Sequence, residues 1–542
     1  MLNEPACMGL QPLGIWKPGN EAPVFCEAGL SRLSAGIRRP VHIVFDRGRL
    51  GVGQDGQIVP GTGRGGYPLI SSLPALYPEW LGERSFLETH GVRFSYVAGA
   101  MFRGITSADM VIAMARAGML AFFGAAGLKP AVLEKHLLKI GAAVGDRNWG
   151  SNLIHSPAAP GLEQAVVDLY LRLGVRRVSA SAYMQLSPAV VHYAAKGLSR
   201  DPGGAIRRQN HVFAKVSRPE VAAHFMKPPP KDMLESLVAA GRLTAAEAEL
   251  AMQLPVAGDV TVEADSGGHT DNRPLTVVFP AVVRLRDRLQ QQYDYPERVR
   301  IGAAGGLGTP GAVAAAYALG AAYVLTGSVN QACVESGLSA DARRLLLDAG
   351  VADVTMAPAA DMFEMGVRVQ VLKRGTMFSN RAASLYRIYQ EHASLESLPP
   401  DLAARLEKEV FRAPLAEVWG QVRDYLAKGQ PEKLQRAQQD PRLRMALVFR
   451  WYLGQSARRA IAGDPAHRLD YQICCGPAMG AFNDWVRGSF LEAAENRGVV
   501  QVALNLLEGA ACLTRAQQLR SYGLSVPAAL FNFRPRPLQP EG

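Results

Sequence analysis

Cysteine is scarce in this chain, with six residues among 542. Cys7, Cys26, Cys333, Cys474, Cys475 and Cys512 form no C-x-x-C pair and no zinc-ligand spacing, so a disulfide-stapled scaffold and a structural metal site are both excluded. The thiols read as reduced and mostly buried, as in a cytoplasmic protein. Long apolar runs are also lacking. The longest, Val111 to Leu128, is interrupted by Arg116 and glycines and parses as a helix end followed by a buried strand, so no membrane span is expected. Met1-Leu2-Asn3-Glu4-Pro5 has no charged segment leading into an apolar one, and no secretory signal is expected there. The formal net charge is +11, yet Lys and Arg nowhere form a block. That balance argues for an acidic partner but against nucleic acid.

What is present is core-forming material. Hydrophobic residues make up 48% of the chain and charged residues 20%, a composition of folded rather than disordered protein. The length suits one large barrel with flanking modules.

The most informative stretch is Val260-Thr261-Val262-Glu263-Ala264-Asp265-Ser266-Gly267-Gly268-His269-Thr270-Asp271. A β-branched run ends in an acidic, glycine-paired tip carrying one His, and Pro274 then opens a helical pattern. Two more tips follow: Val299–Gly306 ends in Gly305-Gly306, and Tyr323–Ser328 ends in Thr326-Gly327-Ser328. Glycines at strand ends let backbone N–H groups approach an anion, and a following helix N-terminus adds positive partial charge. A phosphate-bearing ligand at one face of a parallel sheet or barrel explains all three.

Around these tips, short apolar runs alternate with helical patterns. Strands are expected at 94–98, 120–124, 148–154, 177–183, 211–216, 260–264, 299–303 and 322–326, with Ser107, Ser187 and Thr309 placed as helix N-caps. Eight such units over about 250 residues predict an α/β fold, a (β/α)8 TIM barrel. The barrel is expected over residues 89–383, with a helical insertion at 227–256 opened by Pro228-Pro229-Pro230. Residues 1–88 read as a β-rich preface. Its G-x-G-x-x-G matches at Gly51–Gly56 and Gly61–Gly66 lack the strand-turn-helix setting of a dinucleotide fingerprint, and the first reads as a hairpin turn at Asp55-Gly56. Residues 384–542 read as mainly helical and Arg-rich, ending in a loose tail at Phe533–Leu538.

In a barrel of this type the site lies at the C-terminal strand ends, with phosphate beside the loops after strands seven and eight. Amides at Gly305 and Gly306 and the hydroxyls of Thr326 or Ser328 are the expected phosphate ligands. His269 is the leading acid–base candidate. Lys215 and Tyr183 are alternative proton donors, and His155 reads as structural.

Phe94-Ser95-Tyr96-Val97-Ala98-Gly99-Ala100-Met101, the Glu263–His269 tip and the two glycine loops together resemble the nitronate monooxygenase-type FMN barrels. The tip, Asp361-Met362-Phe363-Glu364-Met365-Gly366, Arg381 and the run Cys474–Trp485 resemble, more narrowly, the PfaD-like trans-acting enoyl reductases of polyketide and polyunsaturated fatty acid synthases. The likeness covers about residues 93–523. It implies FMN, with Gly99, Ala100 and Met101 against the isoalloxazine, Asn152 on the flavin or its ribityl chain, and Lys215 near its electron-accepting edge. Gly305, Gly306, Thr326, Gly327 and Ser328 would hold the phosphate, Gly267 and Gly268 complete the cofactor set, and Gly454-Gln455-Ser456 resembles a flavin-proximal return segment. Catalysis would fall to His269 and Lys215, the reductant would be NADPH or NADH, and the partner an acyl carrier protein domain; a homodimer is left open. The added Asp265-Ser266 departs from the nitronate-oxidising pattern Glu-Ala-Gly-Gly-His. A nitronate monooxygenase-like oxidase and a non-catalytic synthase scaffold stand as the alternatives.

Overall fold

The computed structural model describes residues 11–61, 65–157 and 159–539. Eight parallel strands, Tyr96–Ala98, Leu120–Phe123, Trp149–Ile154, Arg177–Ser181, His211–Val216, Asp259–Glu263, Arg300–Ala304 and Val324–Thr326, close into a barrel in chain order. The last pairs with the first, so the expected barrel is the observed one. Strands covered on both faces need apolar residues at nearly every position, and Leu-Ala-Phe-Phe at 120–123 is buried throughout. The helices between them start where caps were expected. Ser107 accepts from the Met110 N–H at 3.1 Å, and Ser187 and Thr309 do the same for Val190 and Ala312.

The helix Arg84–His90 plugs the N-terminal end of the barrel. Its Phe86 stacks on Tyr323 at 4.5 Å and meets Phe213 edge-on. The first residues of four strands meet it there as a buried charge cluster. Asp259 accepts two hydrogen bonds from Arg300, at 2.7 and 2.9 Å, and faces His90 Nε2 at 3.1 Å. Arg177 donates to the His90 backbone carbonyl, and the His211 ring lies 5.2 Å from that of His90. Burial pushes the Asp259 carboxyl up, but Arg300 and His90 outweigh it and hold the group ionised, well below the usual carboxylate range.

Outside the barrel, five antiparallel strands between Gly14 and Leu73 form the preface, in the order Arg49–Gly53, Val41–Asp46, Tyr67–Leu73, Gly14–Pro18, Gly56–Val59. The expected hairpin at Asp55-Gly56 is not one. The strands it joins lie at opposite edges of the sheet, so the sheet must curl until its edges meet at this corner. No helix follows the first glycine motif, and residues 62–64 of the second lie outside the described residues, as does Cys7. The insertion forms helices Lys231–Ala239 and Ala245–Ala251, the second closed by a Thr244/Glu247 capping box.

After the barrel, strands Val354–Pro358 and Arg368–Leu372 pair antiparallel and take in Gly268-His269 as a third strand. They share one core with helices Phe378–Glu391 and Pro441–Ala462, through Phe363, Val371, Leu385 and Phe449. The expected boundary at 383/384 falls inside the first of those helices, because this core begins at Ala357. Gly454-Gln455-Ser456 lies within the second, where the Ser456 hydroxyl donates to the Tyr452 carbonyl.

The helix Val499–Ser521 was not anticipated. It is buried on nearly all sides, so it lacks the amphipathic stripe that reveals a surface helix. The tail it carries is not loose: Asn505 exchanges two hydrogen bonds with the Arg536 backbone, and Gln501 two with that of Leu538. Among the described residues no helix is long and apolar enough to cross a membrane. The five described cysteines are free, and only Cys26 is exposed.

Replacing Asp259 by Ala would strand Arg300 in the interior without its counter-charge. Loss of one partner from such a buried pair costs about 3–5 kcal/mol, so the urea midpoint of Asp259→Ala, followed by circular dichroism, is expected to fall sharply. An unchanged midpoint would remove this cluster from the stability of the barrel.

Candidate active site

Inward-facing polar residues collect at the C-terminal end of the barrel. Asn152 donates from Nδ2 to Ser181 Oγ at 3.2 Å, while its Oδ1 is buried with no donor in reach among the described residues. Two strands further round, Lys215 Nζ lies 3.0 Å from Glu263 Oε1, and both side chains are mostly buried. Glu263 also takes a bond from Ser266 Oγ at 3.2 Å. A lysine and a carboxylate inside a barrel are costly to bury, and pairing lowers the cost.

The loop after the first strand is braced by Thr106, whose hydroxyl donates to the Gly99 carbonyl and accepts from the Met101 N–H. The Gly99 N–H bonds the Thr326 carbonyl at 2.8 Å, which sets Gly99–Met101 beside Gly327. The seventh-strand loop turns through two left-handed glycines, Gly305 at φ 88° and Gly306 at φ 74°. Such successive glycines aim backbone N–H groups into one concavity. A Cβ at Gly306 or at Gly327 would meet no atom within 4 Å, so both open onto free space.

Three expected cofactor residues are engaged elsewhere. The Thr326 hydroxyl bonds Tyr96 at 2.7 Å and Asn330 at 3.1 Å and is buried, which corrects its assignment as a phosphate ligand. Ser328 Oγ accepts from the Gly476 N–H at 3.0 Å. Gly267 touches chain rather than open space, since a Cβ there would stand 2.8 Å from Cys475 N. The segment Cys474–Gly476 thus lies over the tip, pinned by Gln331, which donates to the Cys474 carbonyl at 2.6 Å.

His269 is half exposed, and its Nε2 lies 3.2 Å from Asp361 Oδ1. The tip that carries it is locked by Gln370, which donates to Asp265 and to the Ser266 carbonyl at 2.7 and 2.8 Å. Asp271 ties the tip to the fifth-strand loop through Ser217 and both arms of Arg218, at 2.6 to 2.8 Å. Tyr183 is no free proton donor: its buried hydroxyl donates to Glu163 at 2.8 Å. Burial and the Glu163 charge both push its pKa well up. Sequence reasoning missed Thr106, Ser181, Glu163, Asp361 and Gln370 as site-builders. For Gln370 the signal was the alternation Arg368-Val369-Gln370-Val371, which marks a strand. Among the described residues no group of three or more His, Cys, Asp or Glu is arranged to hold a metal ion.

A closed barrel of eight parallel strands with glycine loops at its last strand ends, roofed by a helical unit, defines the class of (β/α)8 TIM barrels. The enoyl reductase domain of MlnA from Bacillus amyloliquefaciens is 37% identical, superposes with a TM-score of 0.78, and aligns over 82% of this chain and 99% of its own. The chain therefore belongs to the PfaD-like trans-acting enoyl reductase family. Among curated relatives, a polyunsaturated fatty acid synthase component of a Thraustochytrium species is 49% identical over 81% of the chain, which spans 30% of that much longer polypeptide. The polyketide biosynthesis protein PksE of Bacillus subtilis is 41% identical over 82% of the chain, which spans 58% of it. Residues 392–471 match the family described as acyl-carrier-protein S-malonyltransferase, inserted helical domain.

The Arg218 hydrogen bonds hold the Asp271 carboxyl down at about 2, against 3.8 for the free group. A depressed folded pKa stabilises the fold fully above the unfolded value and ceases to do so as pH falls through the folded one. The stability gap between wild type and Asp271→Asn, measured by denaturant titration, is expected to be constant above about pH 4 and to close toward pH 2. A gap that persists at pH 2 would show that ionisation is not what holds the tip.

Proposed function

We propose that the chain is an FMN-dependent enoyl reductase acting in trans, which reduces the 2,3-double bond of enoyl thioesters borne by an acyl carrier protein in polyketide or polyunsaturated fatty acid biosynthesis, with NADPH or NADH as reductant. The observation that carries this reading is the pairing of one orphaned buried acceptor, Asn152 Oδ1, with the open glycine positions Gly306 and Gly327 at the same barrel mouth. A ligand with an N–H-bearing flat ring at one end and a phosphate at the other fits those demands. Family membership and the Asp265-Ser266 addition to the tip favour the reductase branch.

When bound, FMN supplies the two-electron step, taking hydride from the nicotinamide and delivering it to the enoyl β-carbon. The chain's own residues do the rest. Gly305, Gly306 and Gly327 bind the phosphate through backbone N–H groups, and Gly99–Met101 carries one face of the ring. Lys215, steadied by Glu263, holds a positive charge where negative charge gathers on reduction. His269, aimed by Asp361, orients the thioester carbonyl at the rim.

The helical unit supports the partner assignment. Arg405, Lys408, Arg423 and Lys428 lie on or at the ends of its helices, and acyl carrier proteins are acidic. Docking by such charges is screened by salt.

The purified protein is expected to be yellow and to release FMN, not FAD, on denaturation. Gly327→Val, which fills free space, should keep native circular dichroism yet lose the flavin. Full occupancy in that variant would reject the phosphate site. His269→Ala should keep FMN and its reduction by NADPH, while re-oxidation by a crotonyl thioester slows about 10- to 100-fold, an effect of roughly 1.4–2.7 kcal/mol. Loss of both half-reactions together would make His269 a packing residue. Affinity for the carrier protein is expected to fall from low to high salt, and a flat response would exclude electrostatic docking.

A further inference from the structure

The loop that follows the first barrel strand turns tightly at its crest. The Ile105 N–H donates to the Phe102 carbonyl at 3.1 Å, so Arg103 and Gly104 are the central residues of the turn, both left-handed at φ 53° and 75°. For the non-glycine Arg103 this conformation costs free energy. Two bonds to the second-strand loop hold it there, from the Arg103 N–H to the Ala126 carbonyl and from the Gly104 N–H to the Gly124 carbonyl, each 2.8 Å. The side chain then crosses that loop, since a Cβ on Gly127 would stand 3.3 Å from Arg103 Cγ and Nε. Arg103 thus lies at the C-terminal mouth of the barrel, two residues beyond the Gly99–Met101 segment.

A second arginine reaches the same place from the helical unit. Arg458 lies near the C-terminal end of the helix Pro441–Ala462. The Ser339 hydroxyl donates to the Ala460 carbonyl at 2.6 Å, and the Gly337 N–H donates to the Ile105 carbonyl at 3.0 Å, so the segment after the eighth strand ties that helix end to the Arg103 turn. The Arg458 guanidinium lies over the Tyr425 ring, 5.9 Å from its centroid. Tyr425 is 49% exposed, which puts the two arginines at the rim. One helical turn back from Arg458, a Cβ on Gly454 would meet no atom within 4 Å, so the same helix face borders open space. Burial, and next the Arg458 charge, push the Arg103 guanidinium below its usual pKa. Other arginines of the unit hold carboxylates: Arg450 has Glu364 at 2.8 Å, Arg444 has Glu396 at 2.9 Å, and Arg381 has Asp470. Among the described residues, the guanidiniums of Arg103 and Arg458 have no hydrogen-bond or ion-pair partner. Two half-buried positive charges that act on each other without a carboxylate favour an anion between them.

We propose that Arg103 and Arg458 form a phosphate subsite, and that its ligand is the phosphodiester of the pantetheine arm on the carrier protein. Guanidinium donors match phosphate oxygens in geometry and in charge. The thioester and the phosphodiester are at opposite ends of such an arm. A thioester reduced inside the mouth therefore leaves its phosphate toward the rim, where the two arginines stand. Their position also continues the docking face proposed above, because Arg423 and Tyr425 share the helix Leu415–Ala427 and Lys428 ends it. The arginines hold the arm, and no proton or electron passes through them. The inference rests on the enoyl reductase reading, and its test separates the two.

Crotonyl-phosphopantetheine and crotonyl-pantetheine differ only in the phosphate. The wild type is expected to show a kcat/KM about 10- to 100-fold higher for the phosphorylated substrate. In the double variant Arg103→Gln, Arg458→Gln the preference should vanish, with circular dichroism and flavin content reporting an intact fold. Arg103→Lys, Arg458→Lys, which keeps both charges, should retain part of it. Independently of turnover, butyryl-phosphopantetheine and butyryl-pantetheine, both saturated and unreactive, are titrated into the protein by calorimetry. The wild type should bind the phosphorylated compound about 10- to 100-fold more tightly, and the Gln variant should bind the two alike. Equal wild-type affinities, or a preference that survives in the folded Gln variant, would overturn the subsite while leaving the enoyl reductase reading intact. A raised KM for NADPH with the acyl preference unchanged would give the pair to the dinucleotide and overturn it as well. Wild-type enzyme that NADPH reduces but no enoyl thioester re-oxidises would refute the underlying function itself, whatever the calorimetry shows.

Discussion

The site exists only because the barrel closes between its shortest strands. Tyr96–Ala98 and Val324–Thr326 have three residues each, and they pair as Tyr96 with Val324, Val97 with Leu325 and Ala98 with Thr326. So short a parallel ladder is weak by itself, and side chains reinforce it. Tyr96 OH meets Thr326 Oγ1, Asn330 bonds both Thr326 oxygens, and Tyr317 OH donates to the Ser95 carbonyl. Thr326 is therefore committed to closure, which is why its hydroxyl cannot also face a ligand. The same seam brings Gly99 within hydrogen-bond distance of the loop that carries Gly327.

A second constraint comes from far along the chain. Cys474–Gly476 passes so near the tip that a Cβ at Gly476 would stand 2.9 Å from Gly267 N. Backbone contact at that distance tolerates no side chain on either glycine, so the two are matched as a pair. Gln370 and the Gly476 bond to Ser328 fix the crossing from either side. Within the barrel the tip is held through Asp271 to Ser217 and Arg218. With the helical unit in place, His269 becomes part of a three-stranded sheet and acquires Asp361.

The eight strands were legible because each is a short apolar run bounded by glycine or a cap, and such runs carry their pattern locally. The positions of Gly306 and Gly327 at one face follow from the placement of strand ends in a barrel, whereas Asn152 and Lys215 follow only from the family resemblance. What stayed hidden depends on partners distant in sequence. Nothing local in Thr326 reveals Tyr96, and nothing in Gly267 reveals Cys475. The helix Val499–Ser521 buries polar Asn505, Glu508 and Arg515 together with its apolar residues, so no single apolar stripe marks it. The tail at 533–538 is proline-rich, and partners distant in sequence, Asn505, Gln501, Trp485 and Glu508, explain its order.

The two ends of the barrel divide stability from chemistry. At the N-terminal end the ionised Asp259 has Arg300 and His90 as partners, and the helix Arg84–His90 seals the cluster from water. Such saturation contributes rigidity and leaves nothing to bind a ligand. At the C-terminal end the pairing is incomplete. Glu263 and Glu163 are satisfied, but among the described residues Asn152 Oδ1 finds no donor. A buried acceptor without a donor costs about 1–3 kcal/mol, and a ligand that donates to it recovers that cost. The free energy withheld from folding at this end is therefore available for binding. The saturated cluster below lets the barrel tolerate that deficit, and active sites in barrels of this type lie at the end where it occurs.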